Sequence, residues 1–205
     1  TSANDGLEDE DVIRRNNYIL GNLPVNTQWN YTVGANWKHF GTNSFQNVVV
    51  SRNHLNNRAV KYQGNIEQPE FLILDYKSQE IENKVRLENT IRENGWKINM
   101  GLGYENAIYT NSTYNQIVVD GEVNVIDFDS RLPINKFAVF SQVSKELVKN
   151  KLMVSFGVRM DCNDYSEEMS NPLDQMSPRL SASYSITEKL NANFNVGRYF
   201  QLPPY

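Results

Sequence analysis

The sequence predicts an all-β chain of antiparallel, up-and-down strands, and three observations predict it. Apolar and polar residues alternate with period two over most of the chain, which is the side-chain period of an extended strand. Asn94-Gly95 and Asp120-Gly121 each stand between two such runs and are strong signals for a tight hairpin. Connections alternate between short turns and long stretches, as they do when strands run back and forth between two unlike ends. Helical periodicity is weak. Val143 to Leu152 is the one stretch with a trace of it, and its Lys-Asn-Lys centre reads more simply as a turn.

Taken in order, the first strand is "TQWNYTVGANWKHF", where Trp29, Tyr31, Val33, Ala35 and Trp37 oppose Gln28, Asn30, Thr32, Asn36 and Lys38. The shorter "SFQNVVVSRN" follows. Between Gln79 and Tyr109, Ile81, Val85, Leu87 and Ile91 share one face before Asn94-Gly95, and Trp96, Ile98, Met100, Leu102 and Tyr104 follow it. The other face of the first of these strands carries Glu80, Glu82, Lys84, Arg86, Glu88 and Arg92, a ladder of mixed sign. Four more strands are expected at about 136–147, 151–162, 178–186 and 190–199, which brings the count to about eight. On "KLMVSFGVRMDCNDY", Leu152, Val154, Phe156, Val158, Met160 and Cys162 oppose Ser155, Gly157, Arg159 and Asp161. Short turns fall at 40–43, 93–95, 148–150 and 187–189. Long connections are expected at 54–77, 111–135 and 163–177, the second with a hairpin of its own at Asp120-Gly121.

Composition narrows the class. The 205 residues, 40% of them hydrophobic, suit a folded chain. A net charge of −4 with no basic cluster gives nucleic-acid binding no electrostatic footing. The single cysteine, Cys162, excludes an internal disulfide framework and a thiolate metal cage. No apolar run approaches the roughly 20 residues of a membrane-spanning helix, so a membrane role would have to come through strands.

On pattern alone two readings stand: a soluble antiparallel sandwich or lipocalin-like barrel, and a transmembrane barrel. Three features favour the second. The polar faces are too hydrophilic and too long for the wall of a dry core. Trp29, Trp37, Trp96, Tyr104 and Tyr109 sit toward expected strand ends, where aromatic girdles meet headgroups. Strands of about 9 to 11 residues or more fit a tilted membrane crossing.

The last quarter, "FGVRMDCNDYSEEMSNPLDQMSPRLSASYSITEKLNANFNVGRYFQLPPY", resembles barrel sequence of TonB-dependent outer-membrane receptors, in particular those of Bacteroides-like bacteria. The matching pieces are Gly157-Val158-Arg159-Met160-Asp161, Ser177-Pro178-Arg179-Leu180-Ser181 and Val196-Gly197-Arg198-Tyr199-Phe200 before Leu202-Pro203-Pro204. "LGNLPVNTQWNYTVGANWKHF" and "EIENKVRLENTIRENGWKINMGLGYE" are similar to strands of the same barrels. The resemblance implies part of a transmembrane β-barrel in the bacterial outer membrane, with long loops at one end and short turns at the other. It implies import of a scarce nutrient, and as partners a plug domain, further barrel strands, an inner-membrane energy-coupling protein and the lipid bilayer. Residues 1–205 are expected to be one partial barrel domain, because no plug-like segment, energy-coupling segment or terminal aromatic strand is found. Two unpaired edges would then favour edge-to-edge self-association. The alternative is a soluble or surface β-rich module that recognises carbohydrate or protein; a complete eight-stranded barrel also fits the strand count.

No site residue is sharply marked. Arg159 and Asp161 are expected on the lumenal face, where Arg179 of the next strand would join them as a weak ligand-contacting group or as a charge ladder. Aromatic residues in the long connections, Tyr62, Phe71, Tyr76, Tyr114 and Phe128, are candidates for a ligand mouth. The carboxylates Asp5, Glu8, Asp9, Glu10 and Asp11 lack EF-hand spacing, and "DYSEEMSNPLD" is no better. His39 and His54 have no third ligand at metal spacing. No serine lies in a Gly-x-Ser-x-Gly turn, and Glu80 and Glu82 share a face with neutralising cations. No catalytic residue, metal site or cofactor is expected. Asn30-Tyr31-Thr32 and Asn111-Ser112-Thr113 match the glycosylation sequon by chance.

Overall fold

A computed structural model describes residues 10–148 and 151–200. It contains one eight-stranded sheet in sequential order, with β1 Val25–Phe40, β2 Ser44–Tyr62, β3 Leu72–Glu93, β4 Trp96–Val119, β5 Glu122–Leu147, β6 Leu152–Asn163, β7 Ser177–Thr187 and β8 Leu190–Gly197. The ladders from β5 to β8 are antiparallel, with Phe140 opposite Arg159, Gly157 opposite Arg179 and Ala182 opposite Phe194. Among the described residues the sheet order ends at β1 and β8 without pairing them, so the closed eight-stranded barrel is not formed.

The hairpins follow from their turn residues. Asn94 and Gly95 have φ of 49° and 74°, and Asp120 and Gly121 have 53° and 85°. Two successive left-handed residues make the type I′ turn whose twist matches that of the strands it joins.

Three expectations are corrected. The stretches 54–77 and 111–135 are mostly strand: β2 runs to Tyr62, β3 starts at Leu72, and β4 and β5 meet at Asp120-Gly121. The alternation in these stretches is short and broken by polar residues, which suggests loop, but hydrogen-bonded partners on the next strand satisfy the backbone there. Tyr104 and Tyr109 accordingly lie inside β4, not toward its end. A helix also precedes the sheet, α1 Glu10–Asn22, where the weak helical periodicity predicts none. Its stop is secured by tertiary contacts: Lys61, nearly buried, places its ammonium on the Gly21 carbonyl at the helix C-terminus and on Asn65 Oδ1. A cation there complements the carbonyl end of the helix, and sequence periodicity does not contain it. A single helical turn, α2 Glu167–Ser170, lies between β6 and β7.

The chain divides into two compact units. One comprises the chain through Asn30 with Leu55–Gln79 and Thr110–Arg131; the other comprises Tyr31–His54, Glu80–Tyr109 and the chain from Leu132 on. The first is braced by a bidentate Arg58 to Asp75 pair at 3.0 and 2.9 Å. That hydrogen bond and charge hold the Arg58 pKa above its ordinary value.

In the second unit the two sheet faces differ sharply. Phe156, Leu180, Tyr184, Phe194 and Val196 of one face are exposed, as are Val85, Leu87, Phe137 and Val139, and Phe156 is 55% exposed. No second layer of described residues covers them. On the opposite face several positions are buried: Ser144, Ser155 and Ser177, and Ser155 Oγ donates to Ser144 Oγ at 2.8 Å across the β5–β6 ladder. A soluble sandwich buries its apolar face against a second sheet. Here no described residue forms a second layer against that face.

Candidate functional site: a charged hollow on the polar face

The polar face of the second unit carries the expected ladder, and its strands link it sideways. Within β3, Lys84 reaches Glu82 at 2.7 Å and Arg86 contacts Glu88. Across the sheet, Glu105 of β4 holds Lys84 at 3.4 Å and Lys136 of β5 at 2.8 Å. Asn47 of β2 donates to Glu88 at 3.4 Å. On β6, Arg159 grips Asp161 two residues on, Nε to Oδ2 at 2.7 Å and Nη2 to Oδ1 at 2.6 Å, because residues i and i+2 of a strand share a face.

These groups line a hollow of about 260 Å³, with Lys84, Arg86, Glu105, Lys136, Arg159 and Asp161 on its wall. Phe140 forms part of it. Its ring lies over Gly101, where a methyl group would come within 2.5 Å of it, and the Arg86 guanidinium sits 5.4 Å from the ring centroid. Each cation has a carboxylate in contact, so the site is a lattice of neutralised charge. Partly exposed pairs of this kind each contribute about 0.2–1 kcal/mol. Such a lattice offers many donors and acceptors to a polar partner. It offers no isolated carboxylate of the kind general acid catalysis uses.

Arg159 and Asp161 thus lie together on this face. Arg179 shares their face by register, opposite Gly157, but its guanidinium stacks on the Tyr199 ring at 4.7 Å. Glu105 and Lys136 belong to the hollow and were not singled out from sequence. Their parity with Gly101 and Gly103 on β4 and with Ala138 and Phe140 on β5 was the available signal. Tyr62, Phe71, Tyr76, Tyr114 and Phe128 all fall in the first unit.

The remaining candidates separate. His39 stacks on Trp37 with centroids 5.8 Å apart, and His54 meets the Tyr31 ring edge-on at 5.5 Å. Among the described residues no three His, Cys, Asp or Glu side chains gather as a metal site. Asp5, Glu8 and Asp9, and Pro203-Pro204, lie outside the described residues.

The apolar face also has a defined upper limit. Arg52 of β2 donates to Asn83 Oδ1 of β3 at 2.9 Å and to the Tyr31 hydroxyl of β1 at 3.1 Å. Asn106 of β4 and the Tyr104 hydroxyl donate to Asn135 Oδ1 of β5 at 3.0 and 2.9 Å. Asn135 in turn donates its backbone N–H and its amide to the two Asp164 carboxylate oxygens, at 2.7 and 2.6 Å, which lowers the Asp164 pKa. Toward the short turns, Lys145 lies 4.7 Å over the Trp96 ring and donates to the Asn94 carbonyl at 2.8 Å. The stretch of β3 between Asn83 and the Asn94 turn, at about 3.3 Å per residue and a tilt of about 40°, rises roughly 25–30 Å, close to the apolar band of an outer-membrane barrel.

Comparison with known proteins agrees with this architecture. No curated protein matches the chain. Among solved structures, the ferric-catecholate import receptor Fiu from E. coli K12, in its open form, matches with a TM-score of 0.58 at 12% identity, over 89% of this chain and 37% of that one. This chain therefore spans just over a third of the length of that receptor. The family described as TonB dependent receptor-like, beta-barrel matches residues 1–205. An antiparallel up-and-down sheet with one uncovered apolar face and one charged face, matched by that family from end to end, means that the chain belongs to the TonB-dependent receptor-like β-barrels.

Proposed function

We propose that the chain is a barrel segment of a receptor of the bacterial outer membrane that binds a scarce ligand outside the cell and imports it. The observation that carries this reading is the family match over the whole chain. The uncovered apolar face supports it, since lipid is the partner that suits Phe156, Leu180 and Phe194. The ligand classes proposed are a metal chelate, a cobamide or a glycan, and Fiu, described as an import receptor for ferric catecholate, is a neighbour in fold. The partners proposed are a plug domain, the remaining barrel strands and an inner-membrane energy-coupling protein. In the lumen, the hollow around Arg159 and Asp161 would face the plug or a passing polar ligand, with Arg179 at its margin. No bond of the ligand is made or broken in this reading.

The test is uptake by cells that carry or lack the intact receptor, with labelled ferric chelate, cobamide and oligosaccharide supplied separately. Loss of accumulation of one of the three, together with its abolition by a protonophore, is the expected result. Equal, protonophore-insensitive uptake of all three in both strains would overturn the reading.

A further inference from the structure

The cations in the charged hollow share one property: each has a carboxylate in contact, Lys84 with Glu82 and Glu105, Arg86 with Glu88, Lys136 with Glu105 and Arg159 with Asp161. Arg58, in the other unit, has Asp75. Arg52 differs. Its two hydrogen bonds go to neutral acceptors, the Tyr31 hydroxyl and the Asn83 side-chain oxygen, and among the described residues no carboxylate pairs with it.

Its location is also unlike theirs. Asn83 shares its face with Val85 and Leu87, and Tyr31 shares its face with Val33 and Trp37, all of them exposed apolar residues. Arg52 therefore stands on the apolar face, at the row where that face turns polar on successive strands through Asn83, Asn106 and Asn135. A guanidinium held by two neutral groups keeps its full charge, and its fixed fork is matched to the oxygens of a phosphate. Val48 and Val50 precede it on β2, so a molecule seated at Arg52 would carry apolar chains down that strand.

We propose that Arg52, braced by Tyr31 and Asn83, seats the phosphate of a membrane lipid at the outward boundary of the apolar band. The proposal rests on the reading of this face as lipid-facing. The occupant is a lipid and not a free anion, because the guanidinium adjoins the apolar face and lies outside the charged hollow.

The experiment uses the intact receptor in detergent, titrated with dioleoyl phosphatidic acid and followed by native mass spectrometry. Dioleoylglycerol, which has the same chains and no phosphate, and inorganic phosphate serve as comparison probes. R52Q should weaken phosphatidic acid binding at the tightest site about tenfold, R52K by a few-fold, and R58Q, which removes the same charge from the other unit, should leave it unchanged. Dioleoylglycerol and inorganic phosphate should not bind there. Heat-modifiable migration in gels shows which variants are folded; should R52Q fail to fold, R52K and N83L, which removes one brace, carry the test with weaker binding expected from both. Wild-type affinity in the folded variants, equal loss in R58Q, or equal binding of inorganic phosphate would overturn the proposal and leave the membrane reading intact. A receptor that is monomeric and folded in water without detergent would overturn the membrane reading itself.

Discussion

Gly101 has no side chain, and the ring of Phe140 on the next strand occupies the space it leaves. A Cβ at this position would lie 2.5 Å from Phe140 Cζ and 2.6 Å from the Leu87 carbonyl oxygen. The ring could rotate away, but the carbonyl belongs to the backbone of β3 and moves only with its strand. Replacing Gly101 by Ala is expected to lower the unfolding free energy by about 1–3 kcal/mol, the usual cost of overpacking, measured by urea titration of the reconstituted barrel. Adding F140A should recover only part of the loss, because the contact with Leu87 remains. Full recovery would mean that the ring alone sets the limit. The same residues fix the wall of the hollow, since Phe140 in this position is where the Arg86 guanidinium rests.

The strand as an element explains why a charge is tolerated at one position and not at the next. On β6, Ser155 and Gly157 are buried on the polar face, whereas Phe156 between them is exposed on the apolar face. Arginine at a lipid-facing position costs about 2–4 kcal/mol near the bilayer midplane and less toward either boundary. F156R is therefore expected to destabilise the folded barrel by an amount in this range, while F156L, which only changes apolar shape, stays within about 1 kcal/mol. Unfolding in lipid vesicles measures both. Equal effects from the two would mean that packing against protein, not contact with lipid, governs this face. V85R and L102R test the same argument on β3 and β4.

The whole sheet has two ends to its order, β1 and β8. Unpaired strand edges expose a row of backbone donors and acceptors that pair with any available strand. Residues 1–205 produced alone should accordingly require detergent and run as an oligomer in size-exclusion chromatography with light scattering. The intact receptor, where other strands would cover both edges, should run as a monomer. A soluble monomer of the 205-residue chain with a cooperative melt would show that its apolar face is covered by protein. The long strands β3, β4 and β5, of 22, 24 and 26 residues, each have a neighbour on both sides, so β1 and β8 are the strands that need a further partner.

The sequence by itself determined the class, the order of the strands and their faces, because side-chain alternation and two type I′ turns are local properties that neighbouring residues settle. Phe156 opposite Ser155, the ladder from Glu80 to Glu88 and the Asn94-Gly95 turn were all legible in this way. The lengths of β2 to β5 were not, since beyond its regular apolar stripe a strand is held by hydrogen bonds to its neighbour. Helix α1 was not, since Lys61, 40 residues from Gly21 in the chain, meets its C-terminus. The hollow was half legible: parity placed Arg159 and Asp161, but Glu105 joins Lys84 to Lys136 only because three strands set them side by side. The neutral bracing of Arg52 by Tyr31 and Asn83 belongs to the tertiary structure entirely. Register across strands decides which charge finds a counter-charge, and no single strand carries that information.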